Sequence, residues 1–423
     1  WPTSVGFHEG RLWWSGRNGI VGTVSDAFSS FDETIVGDSA PISRTIGSGP
    51  VDTINWILSL KGLILGSQGI EYTARASSLE EPLTVTNFNL KGSSNQGSGA
   101  VSAVKVDKTG YFVNRSGVKV FALDFDARTY DYGSVCAMEL CPEIGYPGIV
   151  RMDVQRLPDT RLHCVLSDGT VAVMVINQAE EVAAWIKVTT DGLVEDVVIL
   201  PAADGTLDDQ VYYVVKRTIN GSTVRYLEKW AQEIDCRGDK QYCYLADSYV
   251  AYSGAATTTI TGLGHLEGEE VVVWADGRDV GTIESTDPFT QTYTVSGGQI
   301  TLATAASNVV VGLGYTANFK SAKLGSSMAG VSALNQQKKV SHLGLVLADT
   351  YRLGLKYGPS SDYLDDLPAI ENGTDVAAGT QTDYDEQMIE FPGTWTTDSR
   401  VYLQAQAPRP AHVLAVTMDE VQS

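Results

Sequence analysis

Arg17-Asn18-Gly19-Ile20, Ser67-Gln68-Gly69-Ile70, Arg115-Ser116-Gly117-Val118, Ser167-Asp168-Gly169-Thr170 and Ile219-Asn220-Gly221-Ser222 read as five copies of one tight turn. Their glycines stand 50, 48, 52 and 52 residues apart, by subtraction of their numbers. Each turn lies between two runs rich in β-branched and aromatic residues. Glycine suits such a loop because a two-residue hairpin turn demands positive φ, which a Cβ resists. A period of about fifty residues with a hairpin in every copy is the sequence pattern of β-propeller blades.

Working outward from the turns, three strands recur in register. The first copy has Phe7 to Gly16 and Ile20 to Val24, and the second has Thr53–Leu58, Gly62–Gly66 and Ile70–Ala74. The third has Val101–Val106, Gly110–Asn114 and Val118–Leu123; the fourth has Ile149–Val154, Arg161–Leu166 and Thr170–Ile176; the fifth has Val194–Leu200, Gln210–Lys216 and Thr223–Trp230. A fourth, outer strand is predicted at Val85–Leu90 and at Ala183–Val188. Blades apolar on both faces must stack to bury them. An all-β chain is therefore expected, with at least five blades in 1–235 and a connector at 236–248. A small β-barrel or sandwich is expected in 249–322, with short strands at Thr257–Thr261, Glu270–Ala275, Thr290–Val295, Gln299–Leu302 and Val309–Leu313. A C-terminal β region, 331–423, is expected either to complete the propeller or to form a docking platform.

The chain has 423 residues, an apolar fraction of 43% and a formal charge of −21. That acidity opposes a surface that grips nucleic acid through phosphate contacts, and it suits a protein that DNA slides past. No apolar run approaches the roughly 20 residues of a membrane helix. Trp1-Pro2-Thr3-Ser4 has neither the basic start nor the apolar core of a signal peptide. Trp1 is not an initiator residue, so the chain is expected to begin inside a longer polypeptide. Five cysteines, an odd and sparse set, are expected as thiols. The spacings of Cys136/Cys141 and Cys236/Cys243 are not those of a zinc site.

The residues offer little for catalysis, and no catalytic, cofactor or metal residue is assigned. Ser167-Asp168-Gly169-Thr170 departs from the sialidase Asp box, Ser-x-Asp-x-Gly-x-x-Trp, and reads as a plain turn. His8, His163, His265, His342 and His412 form no paired motif. There is no Gly-x-Ser-x-Gly elbow. Gly262 to Gly268 misses the dinucleotide fingerprint by one position. The acidic sets Asp362/Asp365/Asp366 and Asp204/Asp208/Asp209 lack the EF-hand spacing and are expected as solvated loop charge. Gly92 to Gly99 reads as a flexible Gly/Ser loop, with partner contact as the sharper alternative. Trp13, Trp14, Trp56, Trp185 and Trp230 are expected in the propeller core.

Taken in order, Ser4 to Gly16, Phe28-Ser29-Ser30-Phe31-Asp32, Asn55-Trp56-Ile57, Gly69-Ile70-Glu71-Tyr72, Asn114 to Gly117, Arg217 to Glu228, Tyr252 to Ala255, Gly262 to Gly268 and Ala407-Pro408-Arg409-Pro410 resemble the tail nozzle proteins of short-tailed bacteriophages. The likeness spans essentially the whole chain. It implies a non-enzymatic virion component, assembled in the bacterial host cytoplasm. In that family six copies form a ring below the portal and adaptor, carry tail fibres or spikes, and line the channel through which genomic DNA leaves. It implies no cofactor and no small-molecule substrate. Members usually carry a sizeable region ahead of the first motif found here. A glycan-binding or glycan-hydrolysing propeller is the alternative.

Overall fold

The computed structural model describes residues 2–47, 53–77, 81–203, 205–236, 241–281, 291–325, 327–328, 331–351, 353–368, 370–371, 374–375, 381–384 and 388–422. The chain divides into two compact units, Trp1–Lys216 with Arg225–Trp230, and Arg217–Val224 with Ala231–Ser423.

The first unit is a β-propeller array of five successive antiparallel meanders. Blade 1 is β1 (Ser4–His8), β2 (Arg11–Gly16), β3 (Gly19–Gly22) and β4 (Ile42–Thr45). Blade 2 is β5 (Ile54–Ser59), β6 (Leu63–Ser67), β7 (Glu71–Arg75) and β8 (Asn89–Ser94). Blade 3 is β9 (Val104–Val106), β10 (Thr109–Val113), β11 (Val120–Asp126) and β12 (Asp131–Cys136). Blade 4 is β13 (Ile149–Gln155), β14 (Thr160–Leu166), β15 (Val171–Asn177) and β16 (Val182–Val188). Among the described residues blade 5 has three strands, β17 (Leu193–Leu200), β18 (Gln210–Ile219) and β19 (Ser222–Lys229), the last two extending beyond the first unit into Arg217–Val224.

Burial follows strand position. The second strands β6 and β10 are buried at every residue, because sheets cover both of their faces and strands both of their edges. The interfaces are apolar: Ile20, Ile42, Ile57, Leu65 and Tyr72 join blades 1 and 2, while Val165, Val171, Val194, Val211 and Tyr213 join blades 4 and 5. Two tryptophans lie flat on glycines of the next strand. Trp13 pairs with Gly22 and Trp56 with Gly66, and a Cβ on either glycine would overlap the indole.

Three expectations are corrected. The outer strand of blade 2 is Asn89–Ser94 rather than Val85–Leu90. Its span is set by its partner β7, which pairs Glu71 with Ser94 and Arg75 with Asn89. Val85 and Phe88 instead drop into the core under Ile42. Trp14 is not core: it alternates with buried Trp13 along β2 and is partly exposed. In the second unit, Thr257–Thr261 belongs to one long strand, Asp247–Thr261. Gln299–Leu302 and Val309–Leu313 merge likewise into Gln299–Leu313. These two strands pair through bulges at Ser253/Thr257 and Thr257/Thr259, which absorb the break in the apolar pattern.

The second unit continues with a sheet built on Lys338–Tyr351, which pairs with His412–Gln422 and Met388–Glu390. A four-stranded sheet runs in the order Thr316–Lys320, Tyr402–Gln406, Leu355–Ser360, Tyr363–Asp366. Val340, Leu343, Leu345, Leu355, Val401 and Leu403 share its core. Part of the acidic stretch 362–385 lies outside the described residues.

Candidate functional site

The five turns occupy one topological position, the hairpin between the second and third strands of each blade. Their backbone geometry differs. Gly117, Gly169 and Gly221 have φ of +78°, +81° and +74°. Gly19 does not: it is the first residue of β3, paired with Gly16, and the left-handed residue of that turn is Arg17 at +49°. Gly69 also lies outside the left-handed region. Its turn is closed by Ser67, whose Oγ donates to Ile70 O at 2.7 Å and accepts from Ile70 N at 3.2 Å. The requirement for positive φ therefore holds at three of the five turns, because a side-chain bond or a neighbouring residue bends the chain at the other two.

At the fourth turn, Asp168 Oδ1 accepts from Thr170 N at 3.0 Å and from Thr170 Oγ1 at 2.6 Å, and Lys187 lies 3.6 Å from the carboxylate. Slight burial pushes this carboxyl up, but the Thr170 bonds and Lys187 outweigh it and the group titrates low. This is a self-satisfied Asx-type turn.

Two of the remaining groups contain structural pins. Asp209 is not a solvated loop charge: Oδ2 accepts from Arg156 N at 2.6 Å and Leu157 N at 3.0 Å, and Oδ1 from Ala202 N at 3.0 Å. Asp208 is buried, and Asp204 lies outside the described residues. Asp362 and Asp365 are exposed, but Asp365 and Asp366 lie in the strand Tyr363–Asp366 rather than in a loop, because they pair with Tyr357 and Lys356, and Asp366 is half-buried 3.8 Å from Lys356. The Gly/Ser segment is not a free loop. Gly92 to Ser94 lie in β8, and buried Ser98 donates to Glu71 Oε1 at 2.8 Å while its carbonyl accepts from Asn55 Nδ2 at 2.8 Å. Burial raises the Glu71 carboxyl despite those bonds.

The histidines are dispersed. His8 Nδ1 meets Ser59 Oγ at 2.8 Å, His265 Nε2 meets Ser248 O at 2.8 Å, and His342 lies 3.6 Å from Asp419. His163 is enclosed, with Nδ1 at 2.7 Å from Tyr213 Oη and Nε2 at 3.2 Å from Gln155 Oε1. All five cysteines are thiols, and burial pushes Cys243 up to about 12. Among the described residues, no group of three or more His, Cys, Asp or Glu is placed to hold a metal ion.

Burial, with help from Arg161, lowers the His163 pKa from 6.5 to about 3. The folded form thus refuses a proton that the unfolded chain accepts between those values. Stability should fall as pH drops from 6.5 toward 3, by up to about 1.4 kcal/mol per pH unit from this group. We expect His163→Gln to flatten that slope in denaturation curves taken from pH 7 to 4.5. A slope parallel to the unsubstituted protein's would contradict the assignment.

Two features were missed because isolated residues carry no signal of pairing. Arg11, buried, donates from Nη1 to Thr23 O and Ala40 O and from Nη2 to Asp38 O, so it holds the β3–β4 excursion. Asp153 and Asp196 are neighbouring carboxylates on the first strands of blades 4 and 5. Burial raises Asp153, whose Oδ1 accepts from Val154 N and Oδ2 from Ile199 N, both at 2.8 Å. Asp196 faces Arg151 at 3.4 Å.

No protein-family model and no curated protein sequence matches the chain. Several solved structures are similar to it. One is a Saccharomyces cerevisiae complex of Dbp5, Nup159 and Gle1, with 14% identity, 70% of this chain and 73% of the other covered, and a TM-score of 0.30. Another is an exo-β-1,3-galactanase from Phanerochaete chrysosporium, at 11%, 98%, 95% and 0.28 in the same order. A third is a bifunctional GH43-CE protein from Bacteroides eggerthii, at 10%, 95%, 62% and 0.26. Superposition at that level assigns neither substrate nor partner, and the propeller description rests on the sheet order itself.

Proposed function

We propose that this chain is a structural virion protein, the tail nozzle of a short-tailed bacteriophage, acting without catalysis as one of six subunits around a DNA channel. The observation that carries the reading is the ordered series of motifs from Ser4 to Pro410 that resembles that family. The architecture is in keeping with it: Arg11, Trp13 and Arg409, all within those motifs, are buried and hold the fold.

The charge of −21 gains a purpose in a ring. Closed symmetry repeats each inward acid around the axis. Such rings repel phosphate, and screening over roughly 8 Å at physiological salt limits the effect to a narrow channel. We expect native mass spectrometry of the assembled particle to give six times the mass of its subunit, and a reconstruction to show a predominantly acidic lumen. A monomer, another symmetry, or a lumen lined by Lys and Arg would refute the reading.

One observation favours a glycan-hydrolysing propeller instead, the Asp153/Asp196 carboxylate neighbours on adjacent first strands. Hydrolysis would use one carboxyl as acid and the other as base or nucleophile. Against this, both Asp153 oxygens already accept backbone N–H groups, a strand-to-strand staple that leaves less freedom to donate a proton. Galactan or sialoside turnover abolished by Asp153→Asn would establish the alternative.

A further inference from the structure

Cys236 and Cys243 meet within the second unit. Cys236 closes the short 3₁₀ turn Glu233–Cys236, and Cys243 precedes the strand Asp247–Thr261. Tyr244 N donates to Asp235 O at 3.4 Å. In an antiparallel approach such a bond sets the next residues inward, here Cys236 and Cys243, opposite each other, where Cα atoms stand about 4.5 Å apart and side chains come closest. A disulfide spans Cα separations of about 4.4–6.8 Å. The thiols follow the same geometry: Cys243 Sγ donates to Cys236 O at 3.5 Å, and Cys236 Sγ donates to Tyr244 O at 3.9 Å. Each sulfur therefore lies against the main chain that carries the other.

The two thiols differ in access. Cys236 is half-buried, whereas Cys243 is 0% exposed and packs in a core with Trp274, Val310 and Tyr351. Burial pushes the Cys243 thiol up to about 12, and the neighbouring Cys236 pushes it the same way. A thiol held in its protonated form is a poor nucleophile. Cys236 thus meets a soluble reagent first, and Cys243 reacts with what Cys236 has taken up.

We infer that Cys236 and Cys243 are a dithiol–disulfide couple, a covalent modification site for low-molecular-weight disulfides that ties the Glu233–Cys236 turn to the core of the second unit. The Cys236 thiolate attacks one sulfur of glutathione disulfide; that S–S bond breaks and one glutathione leaves as thiolate. Cys243 then attacks Cys236 Sγ, the mixed S–S bond breaks, and the second glutathione leaves. The protein gives up two electrons, one glutathione disulfide becomes two glutathione thiols, and the protons of the two cysteines balance the departing thiolates. The dithiol persists where glutathione is kept reduced, and the disulfide forms in oxidising surroundings. The couple is independent of the tail-nozzle reading.

The test incubates the folded full chain with millimolar glutathione disulfide, then denatures, alkylates and maps it. The expected result is a bridge from Cys236 to Cys243 with two hydrogens lost, reversed by dithiothreitol, and slowed amide exchange over Glu233–Cys236. Cys164, fully buried in the core shared by blades 3 and 4, is the internal control that stays reduced. Cys243→Ser should stop at a single glutathione adduct on Cys236, and Cys236→Ser should leave Cys243 without one. Thermal melts establish that each variant is folded; should Cys243→Ser not fold, Cys243→Ala replaces it. Full alkylation of Cys236 and Cys243 after oxidation would overturn the inference, as would a bridge from Cys236 to any other cysteine. So would a bridge that leaves exchange over Glu233–Cys236 unchanged, since it would tether nothing.

Discussion

Asp279→Ala should destabilise the second unit by about 3–5 kcal/mol, the usual cost of stranding one member of a buried ion pair. Arg409 Nε donates to Asp279 Oδ2 at 2.6 Å, and the two side chains are 5% and 0% exposed. The guanidinium also donates from Nη1 to Leu353 O at 3.1 Å, and Asp279 Oδ1 accepts from Gly281 N at 3.1 Å. Removing the carboxylate strands a buried cation without its counter-charge. Replacing both members, Asp279→Leu with Arg409→Met, should be far less costly, because the desolvation penalty goes with the charges. Denaturant midpoints for the two single variants and the double variant decide this. Equal losses in Asp279→Ala and the double variant would show that packing, rather than the pair, holds the site.

Gly66→Val should cost about 3 kcal/mol or more in the propeller, at the upper end for overpacked cores. A Cβ at Gly66 would lie 2.1 Å from Trp56 Cε2 and 2.3 Å from Cζ2. The indole cannot yield, since it is buried and packs against Phe112 at 5.5 Å between ring centroids. Shortening the ring in the same background, Trp56→Leu with Gly66→Val, should recover part of the loss. Gly221→Ala makes a useful contrast, because nothing lies within 4 Å of its Cβ and only the φ of +74° opposes it. Its loss should be about 1 kcal/mol, the low end for a non-glycine residue in the left-handed region. If Gly66→Val melted with the unsubstituted protein, the close indole contact would be disproved.

Local pattern alone settled the repeat. Five turns at near-constant spacing, flanked by β-branched runs, placed every second-to-third-strand hairpin, because hairpin chemistry and period-2 alternation act within a few residues. It also located the central strands β6, β10, β14 and β18; the apolar runs of β6, β10 and β14 follow from burial on both faces. Tertiary structure decided what depends on partners distant in the chain. The span of β8 was set by its pairing with β7, and the left-handed residue of the first turn moved from Gly19 to Arg17 as the β2–β3 register required. Asp209 became a backbone clamp rather than a surface charge, and Arg409 found a carboxylate 130 residues away. The exposure of Ile186 was equally hidden, since an exposed Ile186 and a buried Val173 look alike in sequence. Burial is a property of what arrives on the other face, and that information lies outside any local window.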